Sequence, residues 1–158
     1  MAKEKLMFPI PKFFFRVSID GQDVSFHEVS GLEVEAELME YRVGASSSQT
    51  TMKKIGLIRT APVIMKRGVF KTGGGRKLRS LVELTNNSFV KDGNFNTPES
   101  DLEVIISLLD EEGDAVMTWT LDSPIPIKYV GGDYNSSSSE IAIEQIEFVH
   151  EGITIEEK

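Results

Sequence analysis

Cysteine is absent from the 158 residues of the chain. Without thiols there is no disulfide, no thiolate zinc or iron-sulfur centre and no cysteine nucleophile, and the chain suits a reducing compartment. Histidine is almost as scarce: His27 and His150 are the only two, too few for a three-histidine metal site within one chain. No apolar run approaches the roughly 18 residues that a membrane-spanning helix needs. The N-terminus sets Lys3 and Lys5 before Leu6, Met7, Phe8, Pro9 and Ile10. That stretch is short, contains a proline and stops at Lys12 with no small-residue cleavage site, so it reads as mature chain rather than a secretion signal.

What is present is the composition of one ordinary globular domain over residues 1–158, 40% hydrophobic and 27% charged. A chain of this length buries roughly 68–70% of its unfolded surface and needs no external staple. The net charge of −8 argues against a general nucleic-acid binder. Its distribution is more informative than its sum. Residues 20–42 hold seven acids (Asp20, Asp23, Glu28, Glu33, Glu35, Glu37, Glu40) and one base, Arg42. Residues 53–79 hold nine bases (Lys53, Lys54, Arg59, Lys66, Arg67, Lys71, Arg76, Lys77, Arg79) and no acid. Two adjoining segments of opposite sign fit either a hairpin whose strands pair charge to charge or two surfaces that meet between subunits.

Alternation, not helical spacing, dominates. Phe13, Phe15, Val17 and Ile19 share one face of an extended segment, and Asp20-Gly21 is a hairpin turn signal before Val24 and Phe26. Beyond Ser30-Gly31, Leu32, Val34, Ala36 and Leu38 point one way and Glu33, Glu35 and Glu37 the other, an acidic ladder backed by an apolar one. Gly44 to Thr51 reads as a loop. Further strands are expected near 55–59, 63–70, 102–109, 115–121 and 141–149, with an edge-like segment ending at Val130 and Pro62 at a strand start. The period changes once: Leu78, Leu81, Val82, Thr85 and Phe89 form the stripe of one amphipathic helix. The expected architecture is mainly β: two packed antiparallel sheets in a sandwich or barrel, flanked by that helix.

The motifs of chemistry fail on inspection. Gly73-Gly74-Gly75 is not followed by the Gly-Lys-Ser/Thr of a phosphate loop. The acidic run 110–114 lacks the spacing of a calcium loop and suits a hairpin tip. No nucleophile elbow accompanies the two histidines, and a regular carboxylate ladder on an open strand supplies neither the cleft nor the contrasting environments of a glycosidase. The basic segment has one aromatic, Phe70, and so lacks stacking platforms for single-stranded nucleic acid. No catalytic group, cofactor or metal site is expected. A monomeric β-barrel holding a small apolar ligand remains as the rival reading of the alternation.

Pro11-Lys12-Phe13, Phe15-x-Val17-x-Ile19-Asp20-Gly21, Glu28-Val29-Ser30-Gly31-Leu32, Tyr41-Arg42-x-Gly44 and Met65-Lys66-Arg67-Gly68-Val69 are followed by Trp119, Pro126-x-Lys128-Tyr129, Ile141-Ala142-Ile143-Glu144 and His150-Glu151-Gly152. In that order the set resembles the tail-tube proteins of contractile phages and related injection systems, a family that includes the type VI secretion tube. The resemblance implies a structural protein, not an enzyme. Six copies would close into a ring and rings would stack into a tube, inside a contractile sheath protein and between baseplate hub or spike and tube-capping proteins, with DNA or a protein effector as cargo in the lumen. It also implies assembly in the bacterial cytoplasm and a place in a phage or a released phage tail-like particle. On this reading Glu33, Glu35 and Glu37 face the channel or the subunit seam, and Asp23, Glu28, Glu40, Lys53, Lys54, Lys66, Arg67 and Lys71 serve ring stacking.

Overall fold

Asp20 and Gly21 both take positive φ, 51° and 71°, which is the two-residue turn that matches strand twist. They join β1 (Phe15–Ile19) to β2 (Gln22–Val24) as expected. The computed structural model describes residues 9–12, 14–42, 44, 51–70, 78–83, 102–137 and 140–158. The strands that follow are β3 (Glu28–Ser30), β4 (Val34–Tyr41), β5 (Met52–Thr60), β6 (Val63–Gly68), β7 (Val104–Leu109), β8 (Ala115–Asp122), β9 (Ile125–Val130), β10 (Ile143–Val149) and β11 (Gly152–Glu157). Helix α1 is described over 78–83. Thr85 and Phe89 of the expected helical stripe lie outside the described residues, as do Lys71, the three glycines 73–75 and most of the 44–51 loop.

Every strand pairing is antiparallel. One sheet runs β11-β8-β7-β1-β2, a second β3-β6-β10-β9, and among the described residues β4 and β5 pair only with each other. The first two sheets pack through the faces that the alternation marks: Val17, Ile19, Val104, Ile106 and Leu121 from one meet Val63, Met65, Ile146 and Phe148 from the other, all buried. Leu78 and Leu81 of α1 join them, so the described turn and a half of the helix buries the stripe the sequence assigns to it. Between β7 and β8, Asp110 accepts from the backbone N–H groups of Glu112 and Asp114, and Gly113 takes φ 89°, the hairpin tip expected of that acidic run. Pro126 sits in β9, an edge strand, beside a register shift, where a missing N–H is tolerated.

Two elements differ from expectation. Strand β11 is added on the edge of β8, where Ile153 and Ile155 alternate with Thr154 and Glu156. The larger difference is β4. In the apolar ladder that backs the acidic one, Leu32 packs against the core, but Val34 and Leu38 are exposed and the β4–β5 pair stands clear of the sandwich.

A candidate assembly surface

The β4–β5 pair is an arm that continues the second sheet. Glu28 lies opposite Lys66, Ser30 opposite Ile64 and Val34 opposite Thr60, so β3–β6 and β4–β5 keep one register across the joint. The joint itself is tight: Gly31 takes φ 86°, and a Cβ there would lie 2.1 Å from the carbonyl oxygen of Pro62. Beyond it the register shifts once, where Glu37 faces Gly56 and Leu57, and the side chain of Met39 lies over Gly56. One face of the arm brings together Val34, Ala36 and Leu38 with Ile58 and Ile55. The other mixes Glu35, Glu37, Met39 and Tyr41 with Arg59, Lys54 and Met52. Ile55 is 73% exposed and Leu57 75%, so the arm presents apolar side chains that no other described element covers. An isolated two-stranded ribbon is marginal in water, and large exposed apolar patches mark contact surfaces.

The outer face of the second sheet carries a belt of paired charge. Lys66 Nζ bonds Glu28 Oε1 at 3.0 Å, Gln145 donates to Glu147 at 2.9 Å, and Lys128 lies 3.3 Å from the same Glu147 oxygen. Direct cross-strand pairing of Glu28 with Lys66, Lys66 with Gln145, and Glu147 with Lys128 puts all five on one face. The belt therefore crosses β3, β6, β10 and β9. It begins with an acid on one edge strand and ends with a base on the other.

The expected site residues fall in several places. Glu35 and Glu37 lie on the arm with Arg59, and Glu33 sits at its root; Glu37 pairs with Arg59 at 3.4 Å and Glu40 with Lys53 at 3.7 Å. Glu33, Glu35 and Lys54 make no ion pair with another described residue. Asp23 lies 3.7 Å from Arg16 on the far sheet. The acidic and basic segments thus meet within one chain at three points, Glu28–Lys66, Glu37–Arg59 and Glu40–Lys53, which favours the charge-paired hairpin over segments wholly reserved for a partner.

Arg67 does not sit on a surface at all. It is 6% exposed and its Nε pairs with Glu144, itself 9% exposed, whose other oxygen accepts from the Tyr129 hydroxyl at 2.8 Å. Burial, first, and the bond to Glu144 push the Tyr129 phenol above its ordinary value. The sequence does carry a signal for this: Arg67 falls in phase with Val63 and Met65, and Glu144 in phase with Ile146 and Phe148, opposite charges at inward positions of two strands. His150 follows the same inward phase and is buried. His27 is half-exposed, 3.9 Å from Glu28.

A groove of about 430 Å³ opens between the sheets beside Phe15, Val29, Leu32, Leu108 and Trp119, with Lys12, His27 and Glu28 at its rim. It is not a barrel lumen. The interior where a ligand-binding barrel would hold its ligand is filled by Ile19, Met65, Ile146 and Phe148, which corrects the rival reading. Among the described residues no helix is long and apolar enough to cross a membrane.

No curated protein matches the chain in sequence. Solved structures do match its fold. A chain of the anti-feeding prophage cap, described as the tube terminating cap, superposes with a TM-score of 0.79 at 23% identity, over 97% of this chain and 94% of that one. A chain of the sheath-tube complex of the PVC extracellular contractile injection system, in its extended state, gives 0.78 at 22% identity, over 97% and 95%. A type six secretion system protein gives 0.52 at 13% identity, over 92% and 83%. The model of the T4-like virus tail tube protein gp19 family matches residues 11–154. With that match spanning nearly the whole chain, the chain belongs to the tail tube protein family.

Proposed function

We propose that six copies of this chain close into a ring, and that rings stack into the inner tube of a contractile injection machine, a conduit for DNA or a protein effector. The observation that carries it is the second sheet: two edges that no other described strand pairs, β3 continued by β4 on one side and β9 on the other, with a charge belt that ends in Glu28 at the first and Lys128 at the second. Pairing β9 of one copy with the β3 edge of the next joins a base to an acid and removes both edges from water. Because the two edges differ, the contact is heterologous, and it closes only if the rotation completes a circle. A belt that is neutralised pair by pair would line the channel without a strong field of either sign. The arm, with Glu33, Glu35 and Glu37 near or on it, then reaches a neighbouring subunit, where its apolar face finds the cover its own chain does not provide. Glu40, Lys53 and Lys54 sit towards its far end, placed for contact with the next ring.

Around such a tube a contractile sheath protein, a baseplate hub or spike and a tube-capping protein are the expected partners, and assembly would take place in the bacterial cytoplasm before the particle is complete or released. The relatives in fold include a tube cap, a sheath-tube complex and a baseplate, the last described as sixfold symmetrised. Native mass spectrometry and electron microscopy of the purified protein test the reading. Sixfold rings, single or stacked, are the expected result; a species that stays monomeric at high micromolar concentration overturns it.

A further inference from the structure

At the corner between β10 and β11 one buried histidine is held between two groups of the same kind. His150 Nδ1 lies 2.9 Å from the carbonyl oxygen of Gly152, and Nε2 lies 3.1 Å from that of Ala61. A neutral imidazole has one N–H and one lone pair. Whichever tautomer is chosen, one of these contacts then sets a lone pair against a carbonyl oxygen in a buried site, a polar group left unsatisfied. The imidazolium, with two N–H groups, bonds both. The main chain adds a third tie, since the Thr60 hydroxyl donates to the His150 carbonyl at 2.9 Å.

The place matters as much as the chemistry. Thr60 ends β5 and Ala61 begins the joint at which the arm meets the sandwich, where Ala61 N–H also donates to the carbonyl of Glu33 at 3.3 Å. His150 therefore bolts the returning strand of the arm to the β10–β11 corner, while Gly31 and Pro62 form the bend beside it. The charged groups on the elements that meet here are Glu33 at the arm root, Arg59 on β5, Asp122 on β8 and Glu151 in the corner. Arg59 is turned to Glu37, and the Asp122 carboxylate lies 2.8 Å from where a Cβ on Gly152 would stand.

We propose that His150 is a proton-dependent clasp that fixes the direction of the β4–β5 arm, closed when the ring carries two protons and one hydrogen bond weaker when it carries one. It is a positioning residue, acting through Ala61 and Thr60 rather than by touching a partner. That the arm's direction governs assembly rests on the tube reading; the clasp itself does not.

The test uses the full-length protein labelled with nitrogen-15, by NMR in solution for the free chain or under magic-angle spinning for assembled material. The ring nitrogens are followed as the pH is varied, and in the form with both protonated, couplings across hydrogen bonds to Ala61 and Gly152 are expected. In the form with one ring proton, protection of the Thr60 and Ala61 amides, taken relative to intrinsic exchange at each pH, is expected to fall about fivefold to tenfold, the fold-change of one hydrogen bond. The same profile should persist in His27→Gln, which removes the only other histidine, and should be flat in His150→Phe. A ring that never carries both protons in the folded chain, or arm protection that does not follow the protonation of that ring in the unsubstituted chain, overturns the clasp. The two readings fail separately. A chain that is clasped yet never forms rings refutes the tube and leaves the clasp, whereas rings built from a chain whose arm protection ignores the protonation of His150 refute the clasp and leave the tube.

Discussion

Gly31 shows how one backbone angle shapes an interaction element. Its φ of 86° favours glycine, and any side chain would run into the Pro62 carbonyl, 2.1 Å from the Cβ position. Gly31→Ala is expected to cost about 2 kcal/mol or more, read by urea denaturation, because the bend must open to admit a methyl group. Gly21 makes the contrast: at φ 71° with open space around it, Gly21→Asn should be nearly silent in the same measurement. The buried Arg67–Glu144 pair supplies a second residue-scale prediction. Glu144→Gln leaves the guanidinium with a weaker partner in a site closed to water, and a loss of about 3 kcal/mol or more is expected. Tyr129 reports on the same cluster. Its phenol titrates above 10.0 in the folded chain, so the folded state holds that proton more tightly than the unfolded state does. The stability this gives is fully present below about pH 10 and is lost as pH rises through the higher folded value. Phenolate absorbance compared with Tyr129→Phe should show one tyrosine titrating late, and the variant should lack that part of the alkaline loss.

For the elements, the arm separates folding from assembly. Leu38, Ile55 and Ile58 lie on one of its faces and are each more than half exposed in the chain. Substituting Ile55→Ser or Ile58→Ser should therefore shift chain stability by no more than about 0.5 kcal/mol. In the proposed ring a neighbouring copy covers these side chains, so the same changes should reduce or abolish rings in electron micrographs. A variant that melts early would mean that the arm packs on its own chain. The arm was only half legible beforehand. Period 2 assigns Val34, Ala36 and Leu38 to a common face, but a face covered by the chain's own core and one covered by a second copy have the same pattern.

Across the whole molecule, the charge segregation between residues 20–42 and 53–79 is met in part within the subunit. Glu28–Lys66, Glu37–Arg59 and Glu40–Lys53 are exposed or half-exposed pairs, each worth less than about 1 kcal/mol and screened over about 8 Å at 0.15 M salt. Assembly should then depend only modestly on salt between about 0.05 and 0.5 M, followed by light scattering. The seam is the sensitive place. Lys128→Glu sets a second acid beside Glu147 and, in the proposed seam, against the neighbouring copy's acidic edge, so rings should weaken well beyond what salt does to the unsubstituted protein. Rings unaffected by that reversal would remove the β9 edge from the seam.

The sequence by itself determined the local geometry and the kinship: the Asp20-Gly21 turn, the strands of period 2, the inward stripe of α1 at Leu78 and Leu81, the acidic hairpin tip at 110–114, and the run of motifs that resembles tail tubes. These follow from interactions among residues close in the chain, or from a pattern that needs no coordinates. What the tertiary structure decided is which residues those local elements meet. Arg67 and Glu144 are 77 positions apart, and only the β6–β10 register turns two unremarkable charges into a buried pair. His150 and Ala61 are 89 apart, and nothing nearby in sequence states that the second acceptor is a carbonyl at the root of the arm. Strand β11 and the exposure of β4 belong to the same class. Alternation tells which side chains share a face, and only the packing of distant strands settles whether that face meets the core, water or another copy of the chain.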